Sequence, residues 1–339
     1  MRGEPPLTVL VLGVGGQVSQ GIVKALRMGA LRVRVVGACV DALGAGLFAV
    51  DEALVSPYAA DATFTDWLVD TVRHHAVDAV LSGVEEVLEV LSRHRDEVRR
   101  ETGAVCIVGE PGTLAVGNDK LKTCEWLAEN GFAYPAFAAA TDTPAVAALA
   151  ADCGFPLVAK PRRGKGSTGF MVLEDERDLE WAKGRAGYVV QQLVGSANGE
   201  YTIGCLCDSD GALHGSIAMR RWLAGGTSVR MEVEAAPAAL TEAEAIVARL
   251  APQGPCNVQL RQDGPRAVCL EINPRFSGTT AVRAKLGFND VEAALRHFVM
   301  GEPMRSMPRV THGTAVRYWN EVYVGDASTW TAEFDHSLG

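Results

Sequence analysis

"NVQLRQDGPRAVCLEINPRFSG", residues 257–278, holds two short apolar-rich runs either side of a turn-forming Asp-Gly-Pro, and its reading decides the fold. Side chains alternate between the two faces of a strand. In the first run Asn257 and Gln259 share one face, and Val258 and Leu260 the other. In the second, Cys269, Glu271 and Asn273 share a face while Leu270 and Ile272 point away. Antiparallel pairing has to match these faces, because a slip of one residue sets polar groups against the core. A two-residue turn at Asp263-Gly264 would oppose Gln259 and Val268 and fails that test. Leu260 opposite Leu270 and Val258 opposite Ile272 pass it, which predicts Gln259 beside Glu271 and a longer connection than Asp-Gly alone. Gln259, Glu271 and Asn273 then form one patch of hard oxygen donors with Arg275 at its rim. Few hard oxygens suit Mg2+ (or Mn2+) that keeps waters and bridges phosphates. A solvated strand face is the alternative reading.

A second segment supplies what such an ion needs. "KPRRGKGSTGF" (160–170) joins two predicted strands, which excludes a Walker loop. Its glycines expose backbone N–H groups, Ser167 and Thr168 add hydroxyls, and Lys160, Arg162, Arg163 and Lys165 add cationic donors. Such a flap folds over a polyphosphate and closes it from water; taken alone, it also reads as a basic hairpin tip.

Residues 7–110 repeat strand-then-helix units, from "LTVLVLG" through "AVCIVG", and predict a doubly wound parallel sheet. "LGVGGQVSQG" (12–21) has Gly13 and Gly15 in dinucleotide-fingerprint positions but Val18 at the third, with Asp41 at ribose distance. A tight turn without a cofactor accounts for it as well. From about residue 118 the texture becomes α+β. "NDKLKTCEWLAENG" is a helix with Asn118 and Asp119 as capping residues, strands dominate after 188, and Thr241 with Glu244 reads as a capping box.

The 339-residue chain, 48% hydrophobic and 22% charged, is long enough for several packed subdomains. A net charge of −9 argues against a nucleic-acid partner, since those proteins usually carry a basic stripe. No apolar run reaches the roughly 18–20 residues of a membrane span. The eight scattered cysteines read as buried free thiols, and the expected location is the cytoplasm.

In this order the motifs resemble the ATP-grasp superfamily, and most closely its carbamoyl phosphate synthetase-like carboxylate–amine ligase branch. "EINPRFSG" looks like the family's metal-binding strand, "NVQL" its partner strand and "NDK" (118–120) the start of its nucleotide-binding subdomain. "FPLVAKPRRGKGSTG" resembles its lysine strand and flap, and "YVVQQLVGSANGEYT" its adenine hinge. The resemblance implies a Rossmann-like pre-ATP-grasp domain at 1–117, a small lid subdomain at 118–188 and a large subdomain at 189–339. It implies ATP and Mg2+ as cofactors. Lys120 and Lys160 would meet phosphates or the adenine edge, with Arg162 among the flap's cations. Ser167, Thr168 and Gly169 would cover the β- and γ-phosphates. Gln191, Gln192 and Val194 would line the adenine, although the family commonly has an acid where Gln192 stands, and Glu200 would take the ribose hydroxyls. Gln259, Glu271 and Asn273 would hold metal, and Arg275 would steady the transferring phosphate.

The implied chemistry is phosphorylation of a small-molecule carboxylate by ATP, release of ADP, and attack by an amine or thiol on the acyl phosphate. Positioning and charge neutralisation suffice for it, and the chain shows no Ser/His/Asp or Cys/His nucleophile signature. Arg221 or Arg230 is a hypothesised fork for the acceptor carboxylate, with solvated strand-end arginines as the alternative. Glu85 and Glu86 read first as acids complementing a helix N-terminus, and His74 and His75 as dipole partners. The expected partners are small carboxylates and amines, not nucleic acid or membrane, with a homodimer left open. A non-catalytic ATP-binding module and a Rossmann oxidoreductase are the competing functions.

Overall fold

The computed structural model describes residues 5–164, 168–196, 199–234 and 237–324. Two compact units emerge, one of Met1–Glu110, Arg275–Pro308 and Arg317–Gly339, the other of Pro111–Pro274 and Arg309–Val316.

In the first unit, strands buried on both faces alternate with helices. They run β1 (Leu7–Leu12), α1 (Gln17–Met28), β2 (Val33–Cys39), β3 (Glu52–Val55), α2 (Phe64–His74), β4 (Ala79–Ser82), α3 (Glu85–Thr102) and β5 (Val105–Cys106). The sheet is parallel in the order β3-β2-β1-β4-β5, the doubly wound arrangement expected from the sequence. Strand β3 escaped the sequence reading because it is a short edge strand with half its residues exposed. The glycine turn is fixed by packing. Gly13 has φ +72°, and a Cβ there would lie 2.3 Å from a Val84 methyl; one at Gly15 would lie 2.7 Å from Cys39 Sγ. Asp41 accepts from the Leu43 amide at 2.9 Å in its own local turn. Glu85 and Glu86 occupy the first turn of α3, as read from the sequence.

The second unit opens with α4 (Pro111–Gly117) and α5 (Lys120–Glu129). A four-stranded antiparallel sheet follows, built from β6 (Phe137–Ala139), β7 (Leu157–Pro161), β8 (Met171–Leu173) and β9 (Tyr188–Gln192), with α6 (Thr143–Cys153) and α7 (Glu176–Ala182) between them in sequence. Leu157, Ala159 and Val190 face the core beneath α6 and α7, so Lys160 and Gln191 fall on the opposite face.

The larger sheet contains β10 (Glu200–Cys207), β11 (Leu213–Ala224), β12 (Thr227–Val233), β13 (Gly254–Asp263) and β14 (Arg266–Asn273), with α8 (Pro237–Leu250) packed on one face. Helices α9 (Thr280–Lys285) and α10 (Asp290–Phe298) return to the first unit, and β15 (Thr314–Val316) completes the sheet order β14-β13-β10-β11-β12-β15.

The register corrects two expectations. Val258 does oppose Ile272, and Gln259 does oppose Glu271, but Leu260 opposes Cys269 across a β-bulge, not Leu270. The ladder continues to Asp263 opposite Arg266, so the connection is a tight turn at Gly264-Pro265 after all. The extra residue in β14 re-phases its side chains. Cys269 therefore joins Ala267 and Ile272 in the core under α8, on the face opposite Glu271. The capping box at Thr241 and Glu244 is also overturned: α8 starts a turn earlier, at Pro237, whose fixed φ suits a first helical turn. All eight cysteines are free; seven are buried and Cys153 is half-buried. Among the described residues no helix is long and apolar enough to cross a membrane.

Candidate nucleotide and metal site

The polar face of the larger sheet holds the predicted donors in one file. Thr202 of β10 opposes Gln259, which opposes Glu271; Gly204 opposes Asn257, which opposes Asn273. Their neighbours Ile203, Val258 and Ile272 fill the other face, so alternation alone separates chemistry from core. Asn273 Nδ2 donates to Glu271 Oε2 at 3.3 Å, and Thr202 donates to Asn257 Oδ1 at 2.9 Å.

Lys120, the first residue of α5, ties this file to the base of the flap. Its Nζ donates to the Gly164 carbonyl at 2.9 Å and lies 3.8 Å from Glu271 Oε1. Its own amide donates to the Arg162 carbonyl at 2.9 Å. Asp119 makes this placement possible. It caps α5 through the Leu121 amide at 3.0 Å and takes Arg162 in a two-pronged grip, Nε at 3.0 Å and Nη2 at 2.7 Å. Burial alone would raise the Asp119 pKa, but Arg162 outweighs it and holds it below the usual carboxylate range, while the same hydrogen bond raises Arg162. Arg162, expected among the phosphate cations, is thus committed to Asp119. Asn118 is not the cap; Asp119 is.

Lys160 lies on the open face of the smaller sheet. Burial pushes its pKa down, Glu271 and Cys124 push back, and Lys120 and Arg261 lower it further. Glu271 of β14 is thus among the charges that act on Lys160. Gln191 of the hinge strand is 1% exposed; its Nε2 donates to Cys124 Sγ at 2.9 Å, and its Oε1 is buried without a hydrogen-bond partner. Gln192 is exposed and Val194 buried. The hinge loop lies tight against β13, since a Cβ at Gly195 would come within 2.4 Å of the Gln262 carbonyl oxygen. Thr168 and Gly169 are exposed, while Ser167, with Lys165 and Gly166, lies outside the described residues.

Glu200 and the arginines form a cluster that single-sequence reading missed. Glu200 Oε1 accepts from Arg221, with Nε at 3.0 Å, and Oε2 accepts from Arg261 Nη2 at 2.6 Å. Burial would raise the Glu200 pKa, but the two guanidinium groups hold it below the ordinary value. Arg221, hypothesised for an acceptor carboxylate, also donates to Gln259 Oε1 at 2.6 Å. Arg230 is exposed, pairs with Glu232 and lies over the Trp222 ring, 4.5 Å from its centroid. In the other unit, Arg275 Nη2 donates to Glu85 Oε1 at 2.7 Å.

The donor chemistry fits magnesium. Among the described residues no group of three or more His, Cys, Asp or Glu side chains is placed to hold a metal ion, and the Cys269 sulfur faces the core. One carboxylate and amide oxygens leave most positions to water and phosphate, as Mg2+ prefers.

A parallel N-terminal sheet is followed in the chain by two antiparallel sheets, with Lys120 reaching both the Gly164 carbonyl and Glu271. The family model described as ATP-grasp in the biosynthetic pathway with Ter operon matches residues 189–322, and a PylC-like N-terminal domain matches 9–107. Residues 189–322 of the chain thus resemble ATP-grasp proteins. No curated protein matches it in sequence. Among solved structures, an ADP complex of N5-carboxyaminoimidazole ribonucleotide synthetase superposes with TM-score 0.72 at 14% identity, over 92% of this chain and 81% of that one. The biotin carboxylase domain dimer of Hydrogenobacter thermophilus 2-oxoglutarate carboxylase, in complex with MgADP, ADP and bicarbonate, gives 0.69 at 16%, over 92% and 74%. An L-amino acid ligase from Bacillus licheniformis gives 0.64 at 19%, over 88% and 75%.

Proposed function

We propose that this chain is an ATP-dependent, ADP-forming ligase that activates a small carboxylate as an acyl phosphate for attack by an amine. The observation that carries this reading is Lys120: one ammonium reaches both the Gly164 carbonyl at the flap base and the Glu271 carboxylate. The same contact supports a reading in which Gly164 and β14 line one anion site within the second unit.

The residues divide the work by charge and position. Lys120 and Lys160 hold phosphate oxygens, and a bound phosphate offsets the downward push that burial puts on the Lys160 pKa. Backbone amides around Thr168 and Gly169 cover the β- and γ-phosphates. Gln191 and Val194 line the base, with Gln192 at its exposed edge. Gln259, Glu271 and Asn273 hold magnesium, which when bound neutralises charge on the phosphates being transferred. No side-chain nucleophile is needed, because positioning and electrostatics carry phosphoryl transfer. One protein of similar fold is an L-amino acid ligase from Bacillus licheniformis, and that makes an amino acid the first acceptor class to try.

The test is ADP release with ATP and Mg2+ against pairs of amino acids and small carboxylic acids, followed by mass spectrometry of the product. A condensed amide with stoichiometric ADP supports the reading. ADP formed only with a thiol acceptor moves the acceptor class. Tight ATP binding without turnover on any pair makes the chain a nucleotide-binding module instead.

A further inference from the structure

We propose that Glu200, Arg221 and Arg261 are positioning residues that hold the metal strand and the adenine hinge in one fixed relation, and that Glu200 does not bind the ribose. The inference rests on the ligase reading above for the identity of the nucleotide.

Glu200 is 5% exposed, and both of its oxygens are taken by guanidinium groups from the strands on either side. Each arginine has a second contact pointing to a different part of the site. Arg221 Nη2 donates to Gln259 Oε1 at 2.6 Å, the side chain that stands opposite Glu271. Arg261 Nη1 donates to the Val194 carbonyl at 3.1 Å in the hinge. A single carboxylate therefore sets two arginines, one aimed at the metal file and one at the base-binding segment.

Register explains how the sequence builds this. Glu200 opposes Arg261 across β10 and β13, and the β10–β11 ladder brings Arg221 alongside on the other edge. Cross-strand neighbours on one face meet at about 5 Å, the reach of a guanidinium–carboxylate contact. Two cations around one anion are stable when buried only while all three remain, because removing one partner leaves an uncompensated charge. Loss of Glu200 frees both arginines, and with them the orientation of the Gln259 amide and of the hinge carbonyl.

Titration calorimetry with the whole chain separates this from direct ribose binding. The probes are MgATP, 2′,3′-dideoxy-ATP with Mg2+, and metal-free ADP. Glu200→Gln is expected to weaken MgATP and the dideoxy nucleotide by the same factor, roughly 10- to 100-fold, as for supporting groups behind a metal site. Arg221→Lys is expected to raise the Mg2+ concentration needed for half-maximal nucleotide binding while leaving metal-free ADP unchanged. Arg261→Lys is expected to weaken metal-free ADP and leave the Mg2+ requirement unchanged. A Glu200→Gln protein that loses affinity for ATP but not for the dideoxy nucleotide overturns the proposal. So do arginine variants that leave both readouts at wild-type values. If Glu200→Gln does not fold, the two lysine variants decide alone. Wild-type protein that binds none of the nucleotides sinks the ligase reading itself, a result distinct from the other outcomes.

Discussion

The two faces of the larger sheet are made by the same strands and have opposite tasks. Toward α8 stand Ile203, Val258, Leu260 and Ile272, each fully buried, together with Cys269. On the other face stand Glu200, Thr202, Arg221, Gln259, Glu271 and Asn273, tied together by hydrogen bonds and ion pairs. One face stabilises through area removed from water, and the other stores charge and orientation. They are kept apart by a period of two residues, and the bulge at Leu270 reverses neither face.

Inserting one residue between Val258 and Gln259 should give the largest effect. It slips one part of β13 by a position against β10 and β14, and it turns polar side chains into the core. Loss of cooperative unfolding and of ATP binding is expected, measured by thermal denaturation and calorimetry. Retention of both would show that strand alternation does not set the face.

Glu271→Ala tests the polar face. ADP release with the true substrates should fall about 100- to 1000-fold, the scale for removing one charge-stabilising group. The melting temperature should barely move, because Glu271 is partly exposed. Ile272→Ala, one residue away, should do the converse. It should cost about 2–5 kcal/mol in denaturant unfolding, while nucleotide affinity at low temperature stays close to wild type. If the two variants give the same pattern, the faces are not separate in function.

Asp119→Asn keeps an oxygen for the α5 cap but loses the charge facing Arg162. Since Arg162 is one-third exposed, the stability cost should be no more than about 1 kcal/mol. Weaker ATP binding should accompany it, because the segment carrying Lys120 is anchored there. A variant with wild-type affinity would detach Asp119 from the site.

The smallest effect is in acid. The folded-state pKa values of Glu200 and Asp119 lie below their ordinary values of 4.5 and 3.8. A carboxyl group whose pKa drops on folding adds stability above its unfolded value and loses it as pH falls through the folded one. The melting temperature should therefore hold near neutrality and fall below about pH 4.5, and Glu200→Gln should flatten the upper part of that fall. A decline beginning at pH 6 would point to other groups.

Much of this was legible along the chain. The parallel sheet follows from continuous apolar runs alternating with amphipathic helices, and the pairing of Gln259 with Glu271 follows from matching polar to polar. The flap was legible as a run of cations and glycines, and Lys120 only through the family resemblance. The bulge was not, because a single extra residue leaves no composition signal and Leu270 is apolar like Val268 and Cys269 before it. The start of α8 was misplaced although Pro237 marks it, since the Thr241–Glu244 pattern offered a second start within the same helix.

By itself, then, the sequence determined which residues are polar or apolar at each strand position, and with that the fold class and the polar file of Gln259, Glu271 and Asn273. Only the tertiary structure decided which charges meet. Arg162 joins Asp119 and Arg221 joins Glu200 because strand register and sheet order bring distant residues within reach. No local rule of spacing encodes a contact between residues 43 or 21 positions apart.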